Sequence, residues 1–250
     1  MHRFPPVMQK KNIIIFGASG HGSVILDCIE KDDKYKVIGF LDTFKEKGST
    51  HCGYPVLGSE EDIPSILATE NVFAGVIAIG DNWQRKLMLD KITSISPKFE
   101  FINCIHPSAI IGKNVTIGRG TVIMAGVIIN SSATIMNHCI LNTNSHLAHD
   151  CVMGDFSSLS PGVNTGGNMI LGNGSAICIG VTVLEGIKIG SHTVIGAGSL
   201  VVDDLPDEVV AYGAPARIIR KRKIGNTYLG KKDKVSAQLY RKRNIQKTIA

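Results

Sequence analysis

Ile105-His106-Pro107-Ser108-Ala109-Ile110-Ile111-Gly112-Lys113-Asn114-Val115-Thr116-Ile117-Gly118 opens a run in which every sixth residue is apolar. Stepping in sixes from Ile105 meets Ile111, Ile117, Ile123, Ile129, Ile135, Leu141, Leu147, Met153, Leu159, Thr165, Leu171, Ile177, Val183, Ile189, Ile195 and Val201. Thr165 is the one polar member, and no insertion breaks the register. Glycine often follows directly, as at Gly112, Gly118, Gly154, Gly172, Gly190 and Gly196. Four residues after each apolar member stands a mostly small one, as at Ala109, Ala133, Cys139, Ser145 and Ser157. A period of six is neither helix nor simple strand. It suits a prism whose three flat faces each take one hexapeptide, so that eighteen residues make a turn. The apolar residue points to the axis, the small one fits where the chain turns, and glycine tolerates the tight backbone there. At a strand spacing of roughly 4.8 Å, the run gives a prism about 27 Å long.

Upstream, residues 11–102 read as a small α/β unit. Asn12 to Phe16 is a buried strand that runs into Gly17-Ala18-Ser19-Gly20-His21-Gly22, and a helix is expected from Ser23 to Lys31. A second strand, Tyr35 to Leu41, ends in Asp42 and Thr43; a third, Phe73 to Ile79, ends in Gly80, with a helix expected from Trp83 to Ile92. This Rossmann-like order gathers loops at the carboxyl ends of parallel strands, where such sheets bind ligands.

The 250 residues are 44% apolar and 19% charged, which excludes disorder over most of the chain. There is no apolar run of membrane-spanning length and no apolar signal core at the N-terminus, so a cytoplasmic protein is expected. Six widely spaced cysteines without a CxxC pair read as buried free thiols. The net charge of +6 hides a division: residues 217–250 hold 12 Lys or Arg against one Asp, while the rest carries an acidic excess. No aromatic stacking surface accompanies that basic tail, so no nucleic-acid partner is expected. A solvated tail with weak contact to an anionic membrane face is the reading its charge supports.

Two places carry candidate chemistry. The Gly17–Gly22 loop follows a strand and opens a helix, so its amides and the helix N-terminus suit a phosphate, although a plain tight turn also fits. Its GxxGxG spacing departs from the dinucleotide GxGxxG. Asp42, at the end of the next strand, adds a carboxylate for ribose hydroxyls or a base edge. The second place is His149-Asp150: histidine supplies a base near neutral pH, and a neighbouring carboxylate orients its ring. A surface histidine without function fits the same residues.

The hexad run resembles the left-handed parallel β-helix of the hexapeptide-repeat acyltransferases over residues 105–205. The GASGHG loop, the prism and Ala211-Tyr212-Gly213-Ala214-Pro215-Ala216-Arg217 together resemble bacterial amino-sugar acetyltransferases that build modified nucleotide sugars, grouped with the sialic acid O-acetyltransferase family. The resemblance implies a nucleotide-sugar-binding domain at 11–102, a β-helix acyltransferase domain at 103–217 and a basic tail at 218–250. It makes His149 the general base and Asp150 the support for its basicity. It implies nucleotide-sugar contacts at Ala18, Ser19, Gly20, His21, Asp42, Thr43, Ile79, Gly80 and Gly167. Acetyl-CoA contacts are implied at Asn142, Ser158, Ile179, Ala197, Gly213, Ala214 and Pro215. Ser158 stands where a relative places a histidine able to bond the thioester carbonyl. The implied activity is acetyl-CoA-dependent N-acetylation of a UDP-4-amino-sugar-type acceptor for surface glycan biosynthesis, by a homotrimer that requires no metal. Two rivals share the fold: O-acetylation of sialic acid or a related sugar, and a zinc hydrase using histidines such as His138, His146 and His149.

Overall fold

Strand β1 (Lys11–Phe16) is buried from Ile13 onward and lies at the heart of a five-stranded sheet. It runs parallel between β2 (Tyr35–Leu41) and β5 (Val72–Ile77). The short antiparallel pair β3 (Thr50–His51) and β4 (Tyr54–Gly58) extends the β2 side. The chain therefore reverses its direction of travel across the sheet at β1, which opens a crevice beyond the carboxyl ends of β1 and β5. Helix α1 (Gly20–Asp32) covers one side of the sheet; α2 (Ile63–Thr69) and α3 (Asn82–Ile95) cover the other. The protein is described by a computed structural model over residues 10–229. Most of the basic tail, with the membrane contact expected of it, lies outside the described residues.

Helix α1 starts at Gly20, three residues before the expected Ser23. Ser19 takes an extended backbone as the N-cap (φ −119°, ψ −178°), which brings the glycine loop into the first helical turn. Gly22 has to be glycine there: a Cβ would lie 2.3 Å from the Gly17 carbonyl oxygen.

From Cys104 to Val201 the chain winds into a left-handed parallel β-helix of two-residue strands separated by tight turns. Strands eighteen residues apart pair in parallel, as Ile128 does with Ile110 and His146. The first face carries Cys104–Ile105 and its stacked partners, then β23 (Val209–Gly213) and β24 (Ala216–Lys221). The second face begins at Ile110–Ile111 and the third at Thr116–Ile117. From Ile123 onward the inward register and the small residues of the corners, Cys139, Ser145, Cys151 and Ser157 among them, form one buried column, while the first coil is partly exposed, Ile111 by 40%. Burying it is the chief source of the prism's stability.

The corners correct one detail of the sequence reading. Every sixth residue from Asn114 to Gly198 has a positive φ, between 53° and 74°, and eight of those fifteen are not glycine. The glycines directly after the inward residues are not in that region. They are small because the next coil is close: a Cβ on Gly118 would sit 2.5 Å from the Met136 carbonyl carbon. Asn, Asp and His tolerate the left-handed corner best among residues with a Cβ, and they occupy most of the non-glycine positions. Phe156 is the costly exception; its ring stacks on His138 at 5.2 Å, with the planes 7° apart.

The α/β domain docks on the first face and on the edge between third and first faces. Ile102, Cys104, Val122, Met124 and Ile140 share a hydrophobic cluster with α1 and the sheet. Arg85 of α3, 1% exposed, fastens that edge. Its guanidinium donates to the carbonyls of Ile79, Gly80, His138 and Phe156 and to Asn82 Oδ1, at 2.8–3.1 Å. The ordered chain also continues past Arg217: β24 pairs with β23 as far as Lys221, and Arg222 is buried. The basic extension thus begins as structure, because Val209, Ala211 and Ala216 pack it onto the prism end. Of the six free thiols, Cys28, Cys104, Cys139 and Cys151 are buried, Cys178 is half-buried, and Cys52 is exposed at the β3–β4 turn, where burial was expected. Among the described residues no helix is long and apolar enough to cross a membrane.

Candidate active site

The crevice of the α/β domain has a volume of about 310 Å³ and is lined by Gly17, Ser19, Asp42, Thr43, Ile79 and Gly80, with Glu60 and Gln84 beside them. Asp42 closes the loop rather than standing free: Oδ2 accepts from the Ala18 amide at 2.7 Å and Oδ1 from the Phe44 amide at 2.8 Å. Ala18 is buried, and its amide is spent on that bond. Gly20 is the open position. A Cβ there would meet no protein atom within 4 Å, so backbone freedom is not its requirement. Thr43 donates to Glu60 Oε2 at 2.7 Å, and Lys91 donates to the same oxygen at 2.8 Å. Glu60 is fully buried, a member of the site that no sequence pattern marked. The His21 ring turns inward, where burial and the Arg85 charge lower its pKa to about 4, so it is neutral.

His149 and Asp150 occupy the edge between second and third faces. Asp150 is in the left-handed corner (φ 58°), and its Oδ2 lies 2.8 Å from His149 Nδ1. Both side chains are about half exposed, and the carboxylate lies on the Nδ1 side of the ring. Thr165 explains its polar lapse here: its hydroxyl accepts from the Ala148 amide at 3.0 Å, fixing the corner one residue before His149. Gly167 lies beneath the ring, where a Cβ would be 2.5 Å from His149 Cε1 and 2.6 Å from Nε2. The structure therefore places Gly167 against the His149 ring.

Asn142, Ile179 and Ala197 fall on the edge between first and second faces, and the exposed Gly213-Ala214-Pro215 turn continues that edge, tied by Gly213 N donating to Ser199 Oγ at 3.1 Å. Ser158 is apart from them. It faces outward on the first face and is buried beneath Tyr228. The histidines considered as zinc ligands do not converge: His138 is stacked at the third edge, His146 meets Asn130 on the second face, and His149 pairs with Asp150. Among the described residues no group of three His, Cys, Asp or Glu side chains is placed to hold a metal ion.

A left-handed prism bearing an exposed histidine–carboxylate pair, with an α/β crevice docked on it, is the architecture of a hexapeptide-repeat acyltransferase. Residues 12–92 match the PglD N-terminal domain family. UDP-N-acetylbacillosamine N-acetyltransferase of Bacillus subtilis is 38% identical over 121 residues, which span 46% of this chain and 52% of that protein. The chain thus matches about half the length of that relative. The 2,3,4,5-tetrahydropyridine-2,6-dicarboxylate N-acetyltransferase of Clostridium perfringens is 41% identical over 190 residues, 70% of this chain and 78% of that one. A solved structure of perosamine N-acetyltransferase from Caulobacter crescentus, in complex with CoA and GDP-perosamine, superposes with a TM-score of 0.79 at 32% identity, covering 84% of this chain and 97% of that one. The chain belongs to the hexapeptide-repeat sugar acetyltransferase family.

Proposed function

We propose that the protein transfers the acetyl group of acetyl-CoA to the amine of a nucleotide-linked amino sugar, with His149 as general base. The observation that carries this reading is the pairing of an open-ended histidine base with a separate, loop-rimmed crevice fit for a nucleotide. The neutral amine attacks the thioester carbonyl, and the C–S bond breaks as the tetrahedral intermediate collapses. Nε2 of His149 takes the amine proton and returns it to the departing thiolate, while Asp150 stabilises the imidazolium in between. No acyl-enzyme is needed when both substrates are held together. The Gly20 and His21 amides at the start of α1 would hold the diphosphate, and Asp42, Thr43 and Glu60 the nucleoside.

The working form in this reading is a homotrimer. The crevice sits over the first face and third edge, the expected acetyl-CoA contacts line the first edge, and His149 lies on the second. Three edges of one prism face apart, so one chain does not bring base and crevice together. A closed ring of three copies sets the second edge of one against the first face of the next. Ile110 and Ile128 of the second face and Leu184 at the second edge are exposed apolar side chains suited to that contact. The free thiols and the nucleotide-sugar substrate fit a cytoplasmic enzyme of glycan biosynthesis.

The test is CoA release with a panel of UDP- and GDP-linked amino sugars. His149→Ala is expected to lower kcat by about 10²–10⁴-fold. Turnover at the wild-type rate in that variant would remove His149 from the chemistry. Mixed trimers of His149→Ala and Gly20→Val chains should regain activity, since one chain supplies the base and another the crevice.

A further inference from the structure

After β24 the chain folds back across the first face towards the α/β domain. Arg222 anchors this return. It is buried, Nη1 donates to the His192 carbonyl at 2.7 Å, and Nη2 donates to the Asn226 carbonyl. Gly225 lies against Trp83, where a Cβ would be 3.2 Å from the indole nitrogen. The return ends with Tyr228 between two residues from opposite halves of the expected site. Its hydroxyl donates to the Gly80 carbonyl at 3.2 Å and lies 3.4 Å from Ser158 Oγ.

The Gly80 carbonyl has a second donor, Arg85 Nη1 at 3.1 Å, which also takes the Ile79 carbonyl at 2.9 Å. In a trans peptide the N–H points opposite to its C=O. Drawing the carbonyls of Ile79 and Gly80 towards Arg85 and Tyr228 turns the amides of Gly80 and Asp81 the other way. Ile79 and Gly80 line the crevice, whereas Arg85 and Tyr228 do not. Arg85 and the half-buried Tyr228 thus fix the peptide planes on both sides of Gly80, a crevice-lining residue, and one of those donors comes from the C-terminal extension.

We propose that the returning segment, residues 222–229, is part of the acceptor site, and that Tyr228 is a positioning residue that sets the Gly80 loop for the nucleotide sugar. It acts through Gly80 and does not touch the reacting atoms. This inference rests on the acceptor reading above and deepens it.

The test begins with hydrogen exchange over residues 78–84 in wild type and in Tyr228→Phe, which needs no substrate. Faster exchange in that peptide, with prism peptides unchanged, is expected; unchanged exchange overturns the proposal. In turnover assays the loss of one hydrogen bond should raise KM for the nucleotide sugar about three- to tenfold. KM for acetyl-CoA and kcat should stay within about twofold, a split that a general loss of stability does not give. A chain ending at Asn226 should show the same split more strongly, and equal increases in both KM values overturn the assignment. If wild type acetylates no nucleotide sugar while exchange at 78–84 still responds to Tyr228→Phe, the acceptor reading fails and the contact to Gly80 stands.

Discussion

Gly167→Ala is the sharpest single test of how the base is held. The backbone at Gly167 is not in the left-handed region, so alanine is conformationally acceptable there. Its methyl would stand 2.5 Å from His149 Cε1, 2.6 Å from Nε2 and 3.1 Å from Nδ1. Ordinary carbon contacts are about 3.5–4.0 Å, so the ring has to move by roughly 1 Å or rotate away. Because the ring is half exposed, it has somewhere to go, and the cost to folding should stay under about 1 kcal/mol. The 2.8 Å contact with Asp150 will not survive the move. A misplacement of about 1 Å costs about 10²-fold in rate, so kcat should fall by that order with both KM values little changed. Steady-state kinetics against each substrate, beside a thermal melt, decides the matter. Had Gly167 been an acceptor contact, KM for the nucleotide sugar would rise and kcat would hold. That result, or an unaltered kcat, would refute the placement.

Gly20→Val should fold normally and raise KM for the nucleotide sugar, since its side chain enters space that no protein atom fills, whereas Gly22→Ala should lower the melting temperature because its Cβ strikes the Gly17 carbonyl. Arg85→Met removes a donor from four carbonyls, of which only that of Gly80 keeps a second one, Tyr228, and should destabilise the protein by about 3–5 kcal/mol, read from the urea midpoint; a smaller loss would mean that the docking of the two domains does not depend on it. His138 has a pKa lowered from 6.5 to about 4 by burial and then by the charge of Arg85. Between those values the unfolded chain binds the proton and the folded one does not, so stability should fall from pH 6.5 to about pH 4 by up to roughly 3 kcal/mol. His21, lowered to about 4 by the same causes, adds a slope of the same sign, so His138→Asn, which keeps the corner conformation, should reduce the slope without abolishing it; an unchanged slope would assign it to other groups.

The prism was legible because its requirement repeats. Each hexad from Ile123 onward buries its inward residue, and a chain with sixteen apolar residues at seventeen such positions, without an insertion, leaves few other architectures. The left-handed corners were harder to see, although they repeat just as strictly. Asn114, Ser132, His138, Asp150 and Phe156 share no polarity or size, only a backbone conformation. Arg85 carried no signal at all, for a single arginine in an amphipathic helix reads as a solvated charge until its partners on the prism are known. Tyr228 was hidden by composition, since the surrounding lysines and arginines describe the extension as solvent-facing. The His149–Asp150 adjacency, by contrast, was readable, and so was the loop after β1; what sequence did not show was that Asp42 spends one oxygen on that loop and the other on the Phe44 amide.

The same corner rule bears on how this prism acquires chemistry. The left-handed position accepts Gly, Asn, Asp and His with least strain, and two of these are the residues that general-base catalysis needs. At the second edge the corner holds Asn114, Ser132, Asp150, Asn168 and Gly186 in successive coils, so an acid arises there by a change the backbone does not resist. Asp150→Asn therefore exchanges charge for amide without disturbing φ, and the corner amide bond to the Ser131 carbonyl stays in place. What it removes is the carboxylate that favours the Nδ1 proton and offsets the imidazolium charge. The histidine itself remains, so the fall in kcat should be smaller than for His149→Ala. Turnover at the wild-type rate in Asp150→Asn would remove the carboxylate from the chemistry.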